Sequence, residues 1–168
     1  RDGLYLYDIA ARRIERRELP DFMTAATPQF SPDGARVVFS GMKDSVTDLY
    51  LYDLTSRRIS QLTQDPEDDA MPSFSPDGRS VVYSSEVSDP LRAGVHVRRL
   101  YRVDIADRSL TRLEELGGEA RDPIFSPDGS KILFVLETEG FSEICELEAA
   151  SGRVRRLTQI GGGWPPPF

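Results

Sequence analysis

The pentapeptide Phe-Ser-Pro-Asp-Gly occurs three times, at Phe30-Ser31-Pro32-Asp33-Gly34, Phe74-Ser75-Pro76-Asp77-Gly78 and Phe125-Ser126-Pro127-Asp128-Gly129, and no other feature narrows the fold as far. Its serines stand 44 and 51 residues apart. A period of that size belongs to solenoids, propellers and arrays, so the unit to be explained is the repeat and not the chain. Within the motif, proline presets φ near −65° at the second turn position, and glycine accepts the positive φ that ends the turn. The motif is therefore a hairpin corner, and its serine and aspartate are turn residues before they are chemistry.

Each corner leads into an apolar run: Val37-Val38-Phe39, Val81-Val82-Tyr83 or Ile132-Leu133-Phe134. A second run follows, Leu49-Tyr50-Leu51-Tyr52-Asp53, Leu100-Tyr101-Arg102-Val103-Asp104 and Ile144-Cys145-Glu146-Leu147-Glu148, with Leu4-Tyr5-Leu6-Tyr7-Asp8 as the same element of an earlier copy. From the acid to the next apolar position the offset is six residues in all four: Asp8 to Ile14, Asp53 to Ile59, Asp104 to Leu110, Glu148 to Val154. The seven extra residues of the longest repeat fall in one place, between Ser84 and Leu100, as insertions do in a stack of equivalent units.

Each copy reads as four short strands, in the third copy 72–74, 80–84, 100–104 and 109–113, rich in β-branched and aromatic residues. Four strands every 40 to 50 residues or so predict a β-propeller blade. Blades bury both faces, so their middle strands should be apolar at either parity, as Leu49, Tyr50, Leu51 and Tyr52 are. The outermost strand, Ile59-Ser60-Gln61-Leu62 or Val154-Arg155-Arg156-Leu157, is expected to be half buried, its polar residues discouraging edge-to-edge association.

The expected fold class is all-β, a partial β-propeller of about three and a half four-stranded antiparallel blades over residues 1–168. Residues 3–19 supply the last two strands of a blade, 27–64, 71–116 (with the insertion 85–99) and 122–158 supply whole blades, and 164–168 begin another. Phe168 stands 43 residues after Phe125, where Ser-Pro-Asp-Gly would follow, and there is no initiator methionine. A piece of a longer propeller-containing polypeptide is expected. Its open blade edges would be covered by the remaining blades of the parent chain or by self-association with a second copy.

The Pro-x-Phe-Ser-Pro-Asp-Gly pattern, opened by Pro28, Pro72 and Pro123, resembles the WD40-like (PD40) repeat of TolB-like propellers, as does the Leu-Thr at Leu62-Thr63 and Leu157-Thr158. Two departures are Leu113-Glu114 in place of Leu-Thr, and Arg17 at an otherwise apolar site of the first hairpin. Such blades occur in the Tol translocation component, in tricorn-like and prolyl-oligopeptidase-like peptidases, and in large surface proteins. The resemblance implies a periplasmic or cell-envelope setting.

Charge and residue inventory exclude several function classes. With 28 acidic against 21 basic side chains the net charge is −7, which opposes nucleic-acid binding because that draws its affinity from Lys and Arg contacts to phosphate. The clusters Arg12, Arg13, Arg16, Arg17 and Arg92, His96, Arg98, Arg99 are interleaved or flanked by Glu15, Glu18 and Asp89, as solvated surface charge is. No run approaches the roughly 18 apolar residues of a membrane helix, so direct membrane insertion is not expected. Cys145 is the only cysteine, so no intrachain disulfide or thiolate metal cluster can form, and it reads as a small buried hydrophobe. His96 is the only histidine, it falls in the inserted loop 87–99, and no Gly-x-Ser-x-Gly elbow is present. Gly161-Gly162-Gly163 lacks the Lys-Ser/Thr of a phosphate loop. Neither catalysis nor a cofactor is expected of this stretch.

Candidate partner-binding residues are Arg92, His96, Arg98 and Arg99 in the insertion, whose positive charge contrasts with the acidic domain and suits an acidic partner; Glu67, Asp68 and Asp69; and Trp164. The acidic run 64–69 carries enough carboxylates for a hard cation or a basic partner but lacks the sixth-position glycine of an EF-hand loop, and it reads equally as a surface loop. Loops 20–26, 64–70, 117–121 and 161–164 join successive blades and are the expected binding rim. The function expected is a non-catalytic protein-binding or scaffold module of a larger cell-envelope protein. The alternative is the gating or substrate-orienting propeller of a prolyl-oligopeptidase-like or tricorn-like peptidase, or of another multidomain hydrolase.

Overall fold

The computed structural model describes residues 3–114, 116–138 and 140–158. Gly161-Gly162-Gly163 and residues 164–168, Trp164 among them, lie outside these. The fourteen strands of the described residues all pair antiparallel. The first sheet pairs β1 (Gly3–Asp8) with β2 (Arg13–Glu18). Three four-stranded meanders follow: β3 (Thr24–Phe30), β4 (Arg36–Lys43), β5 (Val46–Asp53) and β6 (Ile59–Gln61); β7 (Asp68–Phe74), β8 (Ser80–Ser88), β9 (His96–Asp104) and β10 (Leu110–Arg112); and β11 (Glu119–Phe125), β12 (Lys131–Thr138), β13 (Phe141–Glu148) and β14 (Val154–Arg156). This is the strand arrangement of a partial propeller, two strands and then three blades.

Three corners are built from the same atoms. Ser31, Ser75 and Ser126 each donate Oγ–H to the aspartate two residues on, at 2.5, 2.6 and 2.6 Å. Each serine Oγ also accepts the backbone N–H five residues on, at 2.9, 3.0 and 3.0 Å. The aspartates accept a further N–H from Ala35, Arg79 and Ser130. These hydrogen bonds to the charged form hold the Asp33 and Asp77 carboxyls below the usual range and lower Asp128 to about 2. Gly34, Gly78 and Gly129 take φ of 70°, 69° and 73°, where a side chain would be strained.

Three further devices recur. Before each inner-strand proline the chain swings into left-handed φ, at Thr27, Met71 and Asp122, and the register shifts by a bulge there. Proline has no N–H to give the ladder, so pairing stops and resumes on its far side. The inner strand β7 thus begins at Asp68, not at Pro72 as the sequence suggests. The constant six-residue offset is the β5–β6 type of turn: Arg57, Arg108 and Gly152 donate N–H back to the carbonyls of Asp53, Asp104 and Glu148. Leu-Thr closes blades because the Thr63 and Thr158 hydroxyls accept the N–H groups of Leu49 and Ile144, at 3.0 and 2.9 Å. Glu114 performs that task with a carboxylate, accepting Leu100 N–H at 3.1 Å.

The core consists of seams between sheets. Val37, Phe39, Tyr50 and Tyr52 face one way, onto Leu4, Leu19 and Phe22. Val38, Leu49 and Leu51 face the other, onto Phe74, Val81 and Tyr83. Val82 and Leu100 then meet Ala120, Ile132, Phe134 and Cys145. Both parities of β4, β5 and β8 are buried, as a blade with a neighbour on each side requires, whereas β12 and β13 alternate, with one face open. Arg36 crosses the second seam, donating to Gly78 O at 3.2 Å with its guanidinium 5.8 Å from the Phe74 ring.

The equivalent phenylalanines differ in burial: Phe74 is 6% exposed in its seam, whereas Phe30, beside the two-stranded sheet, is 57% exposed. Phe74→Ala is therefore expected to destabilise the chain by about 3 to 5 kcal/mol, and Phe30→Ala by less than about 1 kcal/mol. Urea midpoints of the two variants check this; equal losses would locate the stabilisation in the corner and not in the seam.

Candidate functional site: the β8–β9 arm and the adjoining seams

The insertion 85–99 is mostly strand. Ladder pairing continues from Ser84↔Leu100 through Ser85↔Arg99, Glu86↔Arg98 and Val87↔Val97 to Ser88↔His96. In the preceding blade the same ladder ends at Lys43↔Val46, with the two-residue turn Asp44-Ser45 in left-handed φ. The insertion adds one rung and replaces that turn with the loop 89–95, making an arm. His96, expected in a loop, is instead the first residue of β9, because alternating Val97, Arg99 and Val87 extend the ladder. Among the described residues its imidazole makes no hydrogen bond or ion pair, so nothing orients it for proton transfer.

The arm and the loop entering the next blade enclose a cleft of about 980 Å³. Its lining includes Leu91 and Arg92 from the arm tip, Arg99 and Tyr101 from β9, Arg112 from β10, and Glu119 from β11. Leu91 is 92% exposed. Arg92 donates Nε–H to Asp89 at 2.6 Å. Arg98 pairs with Glu86 at 3.5 Å across the ladder and does not line the cleft. Arg99 donates to the Gly118 carbonyl, tying the arm's root to the next blade. Of the sequence candidates, the structure brings Arg92 and Arg99 together here. Arg112 and Tyr101 are not among the sequence candidates; comparing the three repeats marks Arg99, which stands where the other blades have Asp48 and Glu143, and Arg112 follows only as its diagonal neighbour.

The acidic candidates separate. Asp68 is exposed and accepts Thr47 N–H at 2.8 Å, bridging two blades, and Glu67 is half-buried with its N–H given to Asp65. For Asp69 the expectation of a surface contact is corrected: it is wholly buried, facing the seam with the preceding blade. Strand alternation places Asp68 outward and Asp69 inward. Neither Asp69 oxygen has a hydrogen-bond partner, although the Thr63 and Ser85 hydroxyls flank it. Asp69 stands five positions before the corner phenylalanine Phe74; the residues five before Phe30 and Phe125 are alanines, Ala25 and Ala120, opposite Gly41 and Leu136. Burial, reinforced by the Asp65 and Asp48 carboxylates, pushes Asp69 up to about 7 against the weaker pull of the two hydroxyls. Burial likewise raises Asp48, with Asp65 adding to it, and raises the Cys145 thiol to about 11, far from a reactive thiolate. Among the described residues no group of three His, Cys, Asp or Glu side chains is disposed to hold a metal ion.

A carboxyl whose folded value lies above its unfolded one binds its proton more tightly in the fold, so it stabilises at low pH and loses that contribution as pH rises from about 4 through about 7. The difference is on the order of 4 kcal/mol. Asp69→Asn is expected to flatten this slope and to raise the urea midpoint at pH 8 above that of the unsubstituted chain. A midpoint equally pH-dependent in the variant would assign the titration to another group.

Over residues 1–90 the sequence matches the family described as TolB beta propeller domain. TolB from Acinetobacter baumannii is 25% identical with a TM-score of 0.75, over 93% of this chain and 37% of that one. A putative TolB from Agrobacterium tumefaciens is 26% identical with a TM-score of 0.78, over 94% and 55%. The chain thus spans about a third to a half of the TolB chains it matches. The tricorn protease shares the fold at 14% identity, TM-score 0.67, over 87% of this chain and 15% of the protease. A comparison with curated proteins finds no match. With its repeated corners, repeated bulges and seam-built core, the chain belongs to the TolB beta propeller domain family.

Proposed function

We propose that the chain is a non-catalytic protein-binding or scaffold module within a larger cell-envelope protein, and that the β8–β9 arm with the loops beside it is its contact face. The observation carrying this is the arm itself. It is a two-stranded projection with an exposed Leu91 at its tip and arginines at its root, one rung longer than the hairpin of the preceding blade and closed by the loop 89–95 where that hairpin has a two-residue turn. Loops and hairpin tips on a rigid scaffold are where propellers and sandwiches place recognition. Kinship with TolB propellers supports a periplasmic setting and a protein partner or further blades of its own polypeptide. Self-association through blade edges stays within the same proposal, since Tyr5, Tyr7 and Ile14 on the outer face of the first sheet and Ile124 and Ile144 on that of the last are exposed. The likeness to the tricorn protease fold supports the second reading, a substrate-orienting propeller of a peptidase.

A photocrosslinking amino acid in place of Leu91, in the full-length parent protein in cells, is expected to yield a discrete adduct with another protein, and the same residue in place of Leu110 on an outer strand is expected to yield none. No adduct from position 91, or equal adducts from both, would sink the assignment of the arm. An adduct to a hydrolase domain of the same polypeptide would favour the peptidase reading.

A further inference from the structure

The three blades repeat one diagonal pair of side chains, formed by the residue preceding the third-strand apolar run and a residue of the fourth strand. In the first full blade these are Asp48 and Gln61, and Gln61 Nε2–H donates to Asp48 at 2.9 Å. In the last they are Glu143 and Arg156, an ion pair at 3.1 Å. Gln61, Arg112 and Arg156 occupy the same register, opposite Tyr50, Tyr101 and Cys145. In the middle blade the pair is Arg99 and Arg112. Two guanidiniums stand where the neighbouring blades hold an acceptor and a donor, and both line the cleft.

Neither arginine forms an ion pair among the described residues. Arg99 donates Nη1–H to the carbonyls of Arg98 and Gly118, and Arg112 donates Nε–H to that of Glu114 at 2.8 Å. Most of the described acids nearby are committed elsewhere. Glu114 accepts the Leu100 and Leu116 N–H groups, Asp89 holds Arg92, and Glu137 faces Arg121 at 3.6 Å, which leaves Glu119 as the one carboxylate of the lining without a partner among the described residues. Like charges on adjacent strands repel, so this pairing costs stability unless an anion bridges it. Planar guanidiniums suit a carboxylate bidentately.

We propose that the cleft is a binding site for a carboxylate presented by an acidic segment of a partner protein, bridging Arg99 and Arg112 as Glu143 meets Arg156. The inference rests on the reading of this face as a contact surface and names its chemistry. A protein segment is the occupant because the cleft, about 980 Å³, far exceeds a single small anion, and because Tyr101 and the exposed Leu91 offer apolar surface beside the charges. The attraction is screened beyond about 10 Å at 0.1 M salt, so it acts at contact.

The test is calorimetric titration of the chain with Ac-Glu-Glu-Glu-Glu-NH2, the corresponding glutamine peptide, and inorganic phosphate. The glutamate peptide is expected to bind and the glutamine peptide not to. Arg99→Glu, which restores the pair of the last blade, is expected to weaken the glutamate peptide at least tenfold with no fall in urea midpoint; Arg112→Gln on the exposed outer strand acts in the same direction and carries the comparison if Arg99→Glu does not fold. Equal binding of the two peptides, unchanged binding in both variants, or phosphate binding as tightly as the glutamate peptide would overturn the proposal. The Leu91 crosslink surviving in Arg99→Glu would also count against it, while leaving the arm as a contact face.

Discussion

A blade with a neighbour on each side must be covered on both faces, and nearly everything else in the structure follows from that requirement. A sheet with one wet face can alternate apolar and polar residues, whereas Val37, Val38, Phe39 and Leu49, Tyr50, Leu51, Tyr52 are buried without alternation. The side chains of even and odd positions serve different seams, so each sheet is held by its neighbours and not by a core of its own. Stability is consequently a sum over seams, as in other repeat architectures. Phe30 and Phe74 occupy the same motif position and differ in burial for that reason: what lies across the seam decides the burial of a ring.

A stack of equivalent units also supplies its own controls. The corner, the bulge before proline and the acid-capped turn are repeated, the corner with distances that agree within a few tenths of an ångström, and they explain the fold. Departures from the repeat are where something other than folding has to be accounted for. Asp69 stands where the other blades have Ala25 and Ala120, Glu114 where they have Thr63 and Thr158, and the Arg99 and Arg112 pair where they have complementary partners. Two of the three involve the middle blade's boundary with the next one, on the side that carries the arm. Glu114 still closes its blade, so its charge is spent on backbone N–H groups, and the arginines beside it remain available.

Fold class, blade order and corner chemistry are legible in the sequence because they are encoded locally: turn residues at fixed offsets and apolar runs of matching length. Strand ends are not. Pairing beyond a bulge depends on the partner strand, so β7 is longer than its apolar residues suggest, and an insertion that continues a ladder looks in sequence like a long loop, which misplaces His96. Asp69 looks like surface because it ends an acidic run; its inward direction is set by a register that only the bulge at Met71 defines. The cleft joins residues of three strands and two blades, and proximity of that kind has no local signature, although the charge reversal at Arg99, where the other repeats have Asp48 and Glu143, is visible once the repeats are aligned.

The acidity of the chain and the basicity of the arm act at different distances. A net charge of −7 keeps acidic macromolecules away at long range and favours solubility, yet salt confines that field to about a Debye length, roughly 8 Å at physiological ionic strength. Within that distance only local charges count, and at the arm's root they include two guanidiniums held by backbone carbonyls beside Glu119. On this proposal an acidic segment is favoured at the arm's root against the net charge of the chain. Such a contrast confers selectivity more than affinity, because wrong orientations are penalised as well as the right one favoured.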